Sequence, residues 1–176
     1  MTEERRRVVT WDDPHQTAQA GRERSGLDAV NAMKDGTIPR APFALLIGLD
    51  IMEVEAGRVL MTLIPGEHLL NPLGTVHGGM LATALDSAMG CAVQSTLPTG
   101  RGYTTLELKV NYIRAGRTTT GLLMIEGRVL HSGRQSAVAE GTIKDSSGRL
   151  YASASTTCLV FDLPAPTLSR TTPAAP

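Results

Sequence analysis

Alternation of apolar and polar side chains is clearest from Tyr103 to Arg114. Leu106, Leu108, Val110 and Tyr112 fall on one face of a strand, and Thr105, Glu107, Lys109 and Asn111 on the other. Shorter strand patterns cover Leu49–Glu55 and Arg58–Ile64, hinged at Ala56-Gly57. Three more cover Leu122–His131, Gln135–Lys144 and Leu150–Phe161. Ser132-Gly133 and Ser146-Ser147-Gly148 between them are tight-turn material, so the strands from Tyr103 onward read as successive antiparallel hairpins. Between the two strand groups lies one long helix, Gly78–Leu97, stopped by Pro98 with Gly100 and Gly102 beyond. It is apolar almost all round (Met80, Leu81, Ala84, Leu85, Ala88, Met89, Ala92, Val93), so it is wrapped rather than laid on a surface. The small residues of the last strand, Tyr151 to Thr157, suit a sheet curled tightly on that helix. The fold class is therefore α+β, a curved antiparallel sheet around one long central helix.

Residues 41–162 form this domain. Residues 1–40 are a polar, Arg-rich extension with one short helix, Gly26–Lys34, capped by Ser25 and stopped by Gly36 and Pro39. The tail 163–176 is rich in Pro, Thr and Ala without periodicity, and is expected to be disordered.

Composition narrows the function. With aromatic content of 3% and a formal net charge of +0, the chain offers neither stacking rings nor a global field for nucleic acid or an anionic membrane. An anionic ligand would need a local basic patch. Cys91 and Cys158 make neither a disulfide framework nor a metal pair. The start of the chain has no apolar core of a secretory signal, and Asp86 interrupts the longest apolar stretch. The expectation is a cytoplasmic protein without a membrane partner.

Candidate chemistry concentrates in residues 71–86. Asp86 is the only carboxylate between Glu67 and Glu107 and sits mid-helix among apolar neighbours, where an unpartnered charge is costly. It is a structural acid or a functional one. Gly78-Gly79 exposes bare backbone at the helix start, where free amides and the positive helix end can hold developing negative charge; a steric need for glycine is the plainer alternative. Gly79 and Asp86 are seven residues, or roughly 10 Å, apart along a helix axis, and cannot act on one carbonyl within a chain. Two antiparallel copies of the helix across a two-fold axis would bring them together. His77 can be read as a general base, a metal ligand or a turn residue satisfying nearby backbone. His15, His68 and His131 stand at no metal-ligand spacing, so no metal is expected. Cys91 reads as a small buried hydrophobe. Met80, Met89 and Met124 read as core residues or as adaptable pocket lining.

The run Asn71…Gly74-Thr75-Val76-His77-Gly78-Gly79…Asp86 resembles the signature of the PaaI-type thioesterases, the Asp branch of the hotdog superfamily. The likeness extends over about residues 43 to 161, through the strand Thr104 to Tyr112 and the turn His131-Ser132-Gly133-Arg134. It implies a hotdog fold, a homodimer or dimer of dimers with composite sites, and hydrolysis of acyl-CoA to acid and free CoA with no cofactor beyond the CoA of the substrate. By the same resemblance, the amide of Gly79 or Gly78 would polarise the thioester carbonyl. Asn71 would orient substrate or water, Asp86 of the other subunit would be nucleophile or general base, and Thr105, or else Thr104, would help hold the water. A homotetramer is the assembly often found in relatives of this kind. One departure is Arg114-Ala115-Gly116 where relatives often carry proline. For the CoA phosphates, Arg114, Arg117 and Arg134 lie at strand ends and turns, and arginine's forked donors suit phosphate, although solvated surface charge explains them equally. Two other activities suit the fold: an acyl-thioester hydratase or dehydratase using a His and a helix acid, and a non-catalytic acyl-CoA sensor. Residues 1–40 are too short and too weakly periodic for the DNA-binding domain that a sensor usually brings.

Overall fold

The computed structural model describes residues 4–164. The expectation of disorder for the tail falls almost wholly on residues outside that range. In chain order the elements are α1 (Pro14–Arg22), α2 (Gly26–Lys34), α3 (Pro42–Ile47), β1 (Leu49–Glu55), β2 (Arg58–Leu63), α4 (Gly78–Gln94), β3 (Arg101–Tyr112), β4 (Leu123–Ser132), β5 (Ser136–Asp145) and β6 (Leu150–Asp162). The six strands form one antiparallel sheet in the order β1-β2-β4-β5-β6-β3, curved around α4. This is the hotdog fold.

Hairpins join β4 to β5 and β5 to β6, but β3 does not pair with its successor β4. Residues 113–122 carry the chain across the sheet instead. That leaves β3 against β6 as an edge strand and inserts β4 beside β2. The tightest approach of sheet to helix is made by β4 and β5, not by the small residues of β6. Gly127 and Gly141 are cross-strand partners. A Cβ on Gly127 would overlap the backbone carbonyl of Ala88, and one on Gly141 would stand 3.0 Å from Cγ of Met89. Only glycine lets the strands press on the helix backbone there. The core behind them includes Leu85, Met89, Val59, Leu63, Ile125 and Ile143, all buried.

Helix α4 ends three residues before the expected Leu97. The Ser95 hydroxyl donates to the Ala92 carbonyl at 2.7 Å and accepts the Gly57 N–H at 2.9 Å, so it closes the helix and ties it to the β1–β2 turn. The extension carries two helices, not one. Asp13 caps α1, accepting from the His15 N–H, and Pro14 starts it. No residue of α1 is buried, which is why apolar periodicity does not reveal it.

In the β5–β6 turn, Asp145 is buried and heavily hydrogen-bonded. Its Oδ1 accepts from the N–H and hydroxyl of Ser147 (2.9 and 2.6 Å) and from the Arg149 N–H (3.1 Å). Its Oδ2 accepts from Arg149 Nε (2.8 Å) and Tyr151 Oη (3.2 Å). The Ser147 hydroxyl foremost, against the cost of burial, and Arg149 with it, hold this carboxyl well below the ordinary range. A depressed folded pKa stabilises above the unfolded value and is lost as pH falls through the folded one. The melting temperature of wild type should therefore fall increasingly below pH about 4. Asp145→Asn should be less stable near neutrality and show a shallower acid limb. Parallel acid limbs in the two proteins would remove Asp145 as a source of the acid sensitivity.

Candidate active site

Asp86 lies on a half-buried stripe of α4 with Thr83, Ser87, Cys91 and Gln94. The helix therefore has a partly polar face, contrary to the all-round apolar reading. The hydroxyls on that stripe turn back to their own helix: Thr83 Oγ1 donates to the Gly79 carbonyl (2.9 Å) and Ser87 Oγ to that of Thr83 (2.7 Å). That leaves Asp86 free to face outward. Its Oδ1 accepts a hydrogen bond from Thr105 Oγ1 at 2.8 Å, and among the described residues its Oδ2 has no partner.

The Thr105 contact depends on a β-bulge. The register of β3 against β6 shifts between Thr105 and Glu107, so two residues of β3 oppose one of β6. Tyr103 and Thr105 face the helix before the bulge, Leu108 and Val110 after it, and Leu106 is turned out, 61% exposed. Strict alternation through Thr105 and Leu108 is thereby overturned, and a polar residue joins the inner face beside Asp86. The Thr156 hydroxyl donates to the Glu107 carbonyl at 2.7 Å and fixes the bulge.

Asp86 opens onto a cavity of about 200 Å³. Its methionines are Met33 and Met61; the pocket is not lined by Met80, Met89 or Met124. Cys91 and Tyr103 also line it. Burial, and secondarily the charge of Asp86, pushes the Cys91 thiol up to about 12. Burial foremost, with the charges of Cys91 and Asp86, pushes the Tyr103 phenol well up. Both stay protonated at neutral pH, and Cys91 is no nucleophile.

The other half of the motif shapes the entrance to α4. Asn71 Oδ1 accepts from the N–H groups of Leu73 (2.9 Å) and Thr75 (3.3 Å), while Asn71 Nδ2 donates to Thr75 Oγ1 (3.0 Å). Its carboxamide thus holds the loop together, and Gly74 takes the positive φ of 72° that the turn needs. Val76 N–H donates to the Gly116 carbonyl (2.9 Å) and His77 N–H to that of Leu69 (2.8 Å), anchoring the chain just before the helix. His77 is the N-cap, and its Nδ1 accepts from the Gly79 N–H at 2.9 Å. The Gly79 amide is therefore occupied. The Gly78 N–H has no partner among the described residues. Tyr112, which the sequence marks only as a strand residue, donates from its hydroxyl to the Gly78 carbonyl at 3.0 Å. A Cβ on Gly78 would stand 3.0 Å from its ring.

Asp86 and Gly78 are eight residues apart, roughly 12 Å along the helix. One chain brings Asp86 together with Thr105, and His77 and Tyr112 together with the Gly78 end of the helix, but does not join the two groups. The three arginines divide likewise. Arg114 lies over the Tyr151 ring, 5.9 Å from its centroid, and Arg117 starts the 3-10 turn Thr118–Thr120, so both flank Gly116 near the helix entrance. Arg134 lies at the far end, where its carbonyl accepts from the guanidinium of Arg101, the first residue of β3. All three side chains are exposed. Among the described residues no helix is long and apolar enough to cross a membrane.

Residues 73–152 match the family model described as "Thioesterase superfamily". The chain is 31% identical to a phenylacetic acid degradation-related protein of Ralstonia eutropha JMP134, with TM-score 0.67, covering 73% of this chain and 97% of that one. It is 30% identical to a hypothetical thioesterase of Streptococcus pneumoniae TIGR4 solved with coenzyme A, with TM-score 0.60, covering 66% and 88%. It is 25% identical over 104 residues to the 1,4-dihydroxy-2-naphthoyl-CoA hydrolase of Listeria monocytogenes, covering 59% of this chain and 83% of that protein. With the wrapped helix and the edge strand in place, these matches agree with the motif at Asn71 to Asp86: the chain belongs to the thioesterase superfamily and is a hotdog-fold thioester hydrolase.

Proposed function

We propose that the protein hydrolyses acyl-CoA, R–CO–S–CoA plus water giving R–COOH and CoA–SH, at sites shared between two subunits. The observation that carries this reading is the division of one motif. Asp86 stands with Thr105 at an apolar cavity, and a free Gly78 amide stands about two helical turns away at the N-terminus of the same helix. The carbonyl oxygen would accept from the Gly78 N–H, where the helix dipole also stabilises the developing oxyanion. Asp86 of the partner would attack the carbonyl carbon through Oδ2, breaking the C–S bond to release CoA thiolate and leave a mixed anhydride that water hydrolyses, or would take a proton from water that attacks the carbonyl and expels the thiolate. In both, the proton ends on the CoA sulfur, and Thr105 holds Oδ1 and can accept from the water. His77 caps the helix and so keeps the Gly78 amide aimed outward. Asn71 fixes the loop behind it.

The fold supports a specific pairing. Tyr112 of β3 touches Gly78, and Thr105 of β3 touches Asp86. Antiparallel pairing of two β3 edges, centred on Lys109, would set Leu108 opposite Val110 of the other copy and, because the bulge adds one residue, Thr105-Leu106 opposite Tyr112. It would thereby carry each Asp86 toward the other chain's Gly78. The same operation brings Arg134 of one chain toward Arg114 and Arg117 of the other, a cluster suited to CoA phosphates. Exposed Leu106, Tyr112 and Ile113 on or beside this edge favour its burial, in a dimer or a dimer of dimers.

The test is incubation with a panel of acyl-CoAs and a free-thiol reagent. Thiol release that depends on the protein is expected. Altered acyl unsaturation without release would indicate a hydratase, and binding without release a sensor.

A further inference from the structure

The cavity at Asp86 has a wall that no part of the family match supplies. Residues 73–152 carry the match, whereas Met33, Ala41, Phe43 and Ala44 of the α2–α3 segment close one side of the cavity. This segment is docked firmly. Gly26 N–H donates to the Leu97 carbonyl at 2.9 Å, and a Cβ on Gly26 would overlap the Gln94 carbonyl, so α2 lies directly on the end of α4. Ala29, Val30, Ile38 and Ile47 are buried beneath it. The segment that bears the cavity wall is therefore anchored in the core and is not a loose arm.

A second cavity, of about 340 Å³, lies beyond the first, between α1, α2 and the end of β6. Three side chains line both: Met33, Cys91 and Tyr103. Tyr103 is fixed, its hydroxyl packed where Gly90 has no Cβ. Cys91 is short and rooted in α4. Met33, unbranched and only half-buried, is the flexible member of the partition.

We infer that the α2–α3 segment is the acyl-binding wall of this enzyme and that Met33 sets the length of acyl group it accepts. This rests on the reading of Asp86 as the acting carboxylate. The chemistry of the wall defines the substrate class. Its lining is apolar apart from Asp86, Ser87, Arg40, the Cys91 thiol and the Tyr103 phenol, and Arg40 is paired with Asp50. An acyl group with a second carboxylate would meet Asp86 and no free cation, so thioesters of dicarboxylic acids are disfavoured. An apolar cavity of roughly 150 Å³ holds benzene. One of about 200 Å³ suits a single aromatic ring or an aliphatic chain of similar bulk. Longer chains are stopped at Met33.

The test compares kcat/KM for acetyl-, hexanoyl-, benzoyl-, decanoyl- and succinyl-CoA in wild type, Met33→Ala and Ala44→Leu. Wild type should favour hexanoyl and benzoyl over succinyl. Met33→Ala should join the cavities and raise the decanoyl-to-hexanoyl ratio about tenfold or more, and Ala44→Leu should lower the benzoyl-to-acetyl ratio by a similar factor. Thermal unfolding establishes that each variant is folded. Folded variants that scale all substrates equally, or a wild type that prefers succinyl, would overturn the inference while leaving hydrolysis at Asp86 standing. If wild type released no thiol from any CoA ester, the reading of Asp86 would fall instead. The wall would then be judged by binding: hexanoate but not succinate should raise the melting temperature of wild type, and decanoate should do so only in Met33→Ala. Equal effects of all three acids would overturn it.

Discussion

Asp86→Asn is expected to lower kcat for the best acyl-CoA by about a thousandfold, with KM changed little. The substitution keeps the shape and the hydrogen bond, because an amide oxygen can still accept from Thr105 Oγ1. What is lost is the negative charge and the basic oxygen that acts only in the transition state. Folding should be preserved. Asp86 is half-buried and forms no ion pair among the described residues, so neutralising it strands no partner charge. Steady-state kinetics with thiol detection, together with a melting curve, read both halves of the expectation. A folded Asp86→Asn enzyme with near-wild-type turnover would assign the chemistry to another group.

Much of the fold was legible because it rests on strong local patterns. Gly78 to Gln94 is an apolar run with a definite stop, and β4 to β6 are separated by turn residues that leave few alternatives. The bulge in β3 was not legible. Thr105-Leu106-Glu107-Leu108 alternates without a break, and the two-against-one opposition arises only from pairing with β6. The placement of β3 at an edge is likewise a long-range choice, made by where β4 finds β2. Helix α1 leaves no apolar periodicity in the sequence because it buries nothing.

The candidate site divides the same way. Spacing made Gly78, Gly79 and Asp86 conspicuous and the family resemblance added Asn71, but neither shows how each is engaged. That His77 takes up the Gly79 amide, and that Asn71 spends its carboxamide on its own loop, depends on side-chain rotamers no pattern encodes. Tyr112 and Met33 reach the site from elements distant in the chain. A single sequence offers no signal that would join Tyr112 to Gly78 or Met33 to Asp86.

The most direct test of the shared site is complementation between two inactive variants. Asp86→Asn lacks the carboxylate half. Asn71→Ala lacks the oxygen that holds the Leu73 and Thr75 amides, so it loosens the loop that presents Gly78. A heterodimer of the two contains one site with both defects and one with neither. Random co-refolding makes half the dimers mixed, each with one intact site, so activity should return to about a quarter of wild type. The expected result is that recovery from parents that are each inactive. Absence of recovery, with heterodimers demonstrated, would contradict the account and place Asp86 and the amide it works with in a single chain.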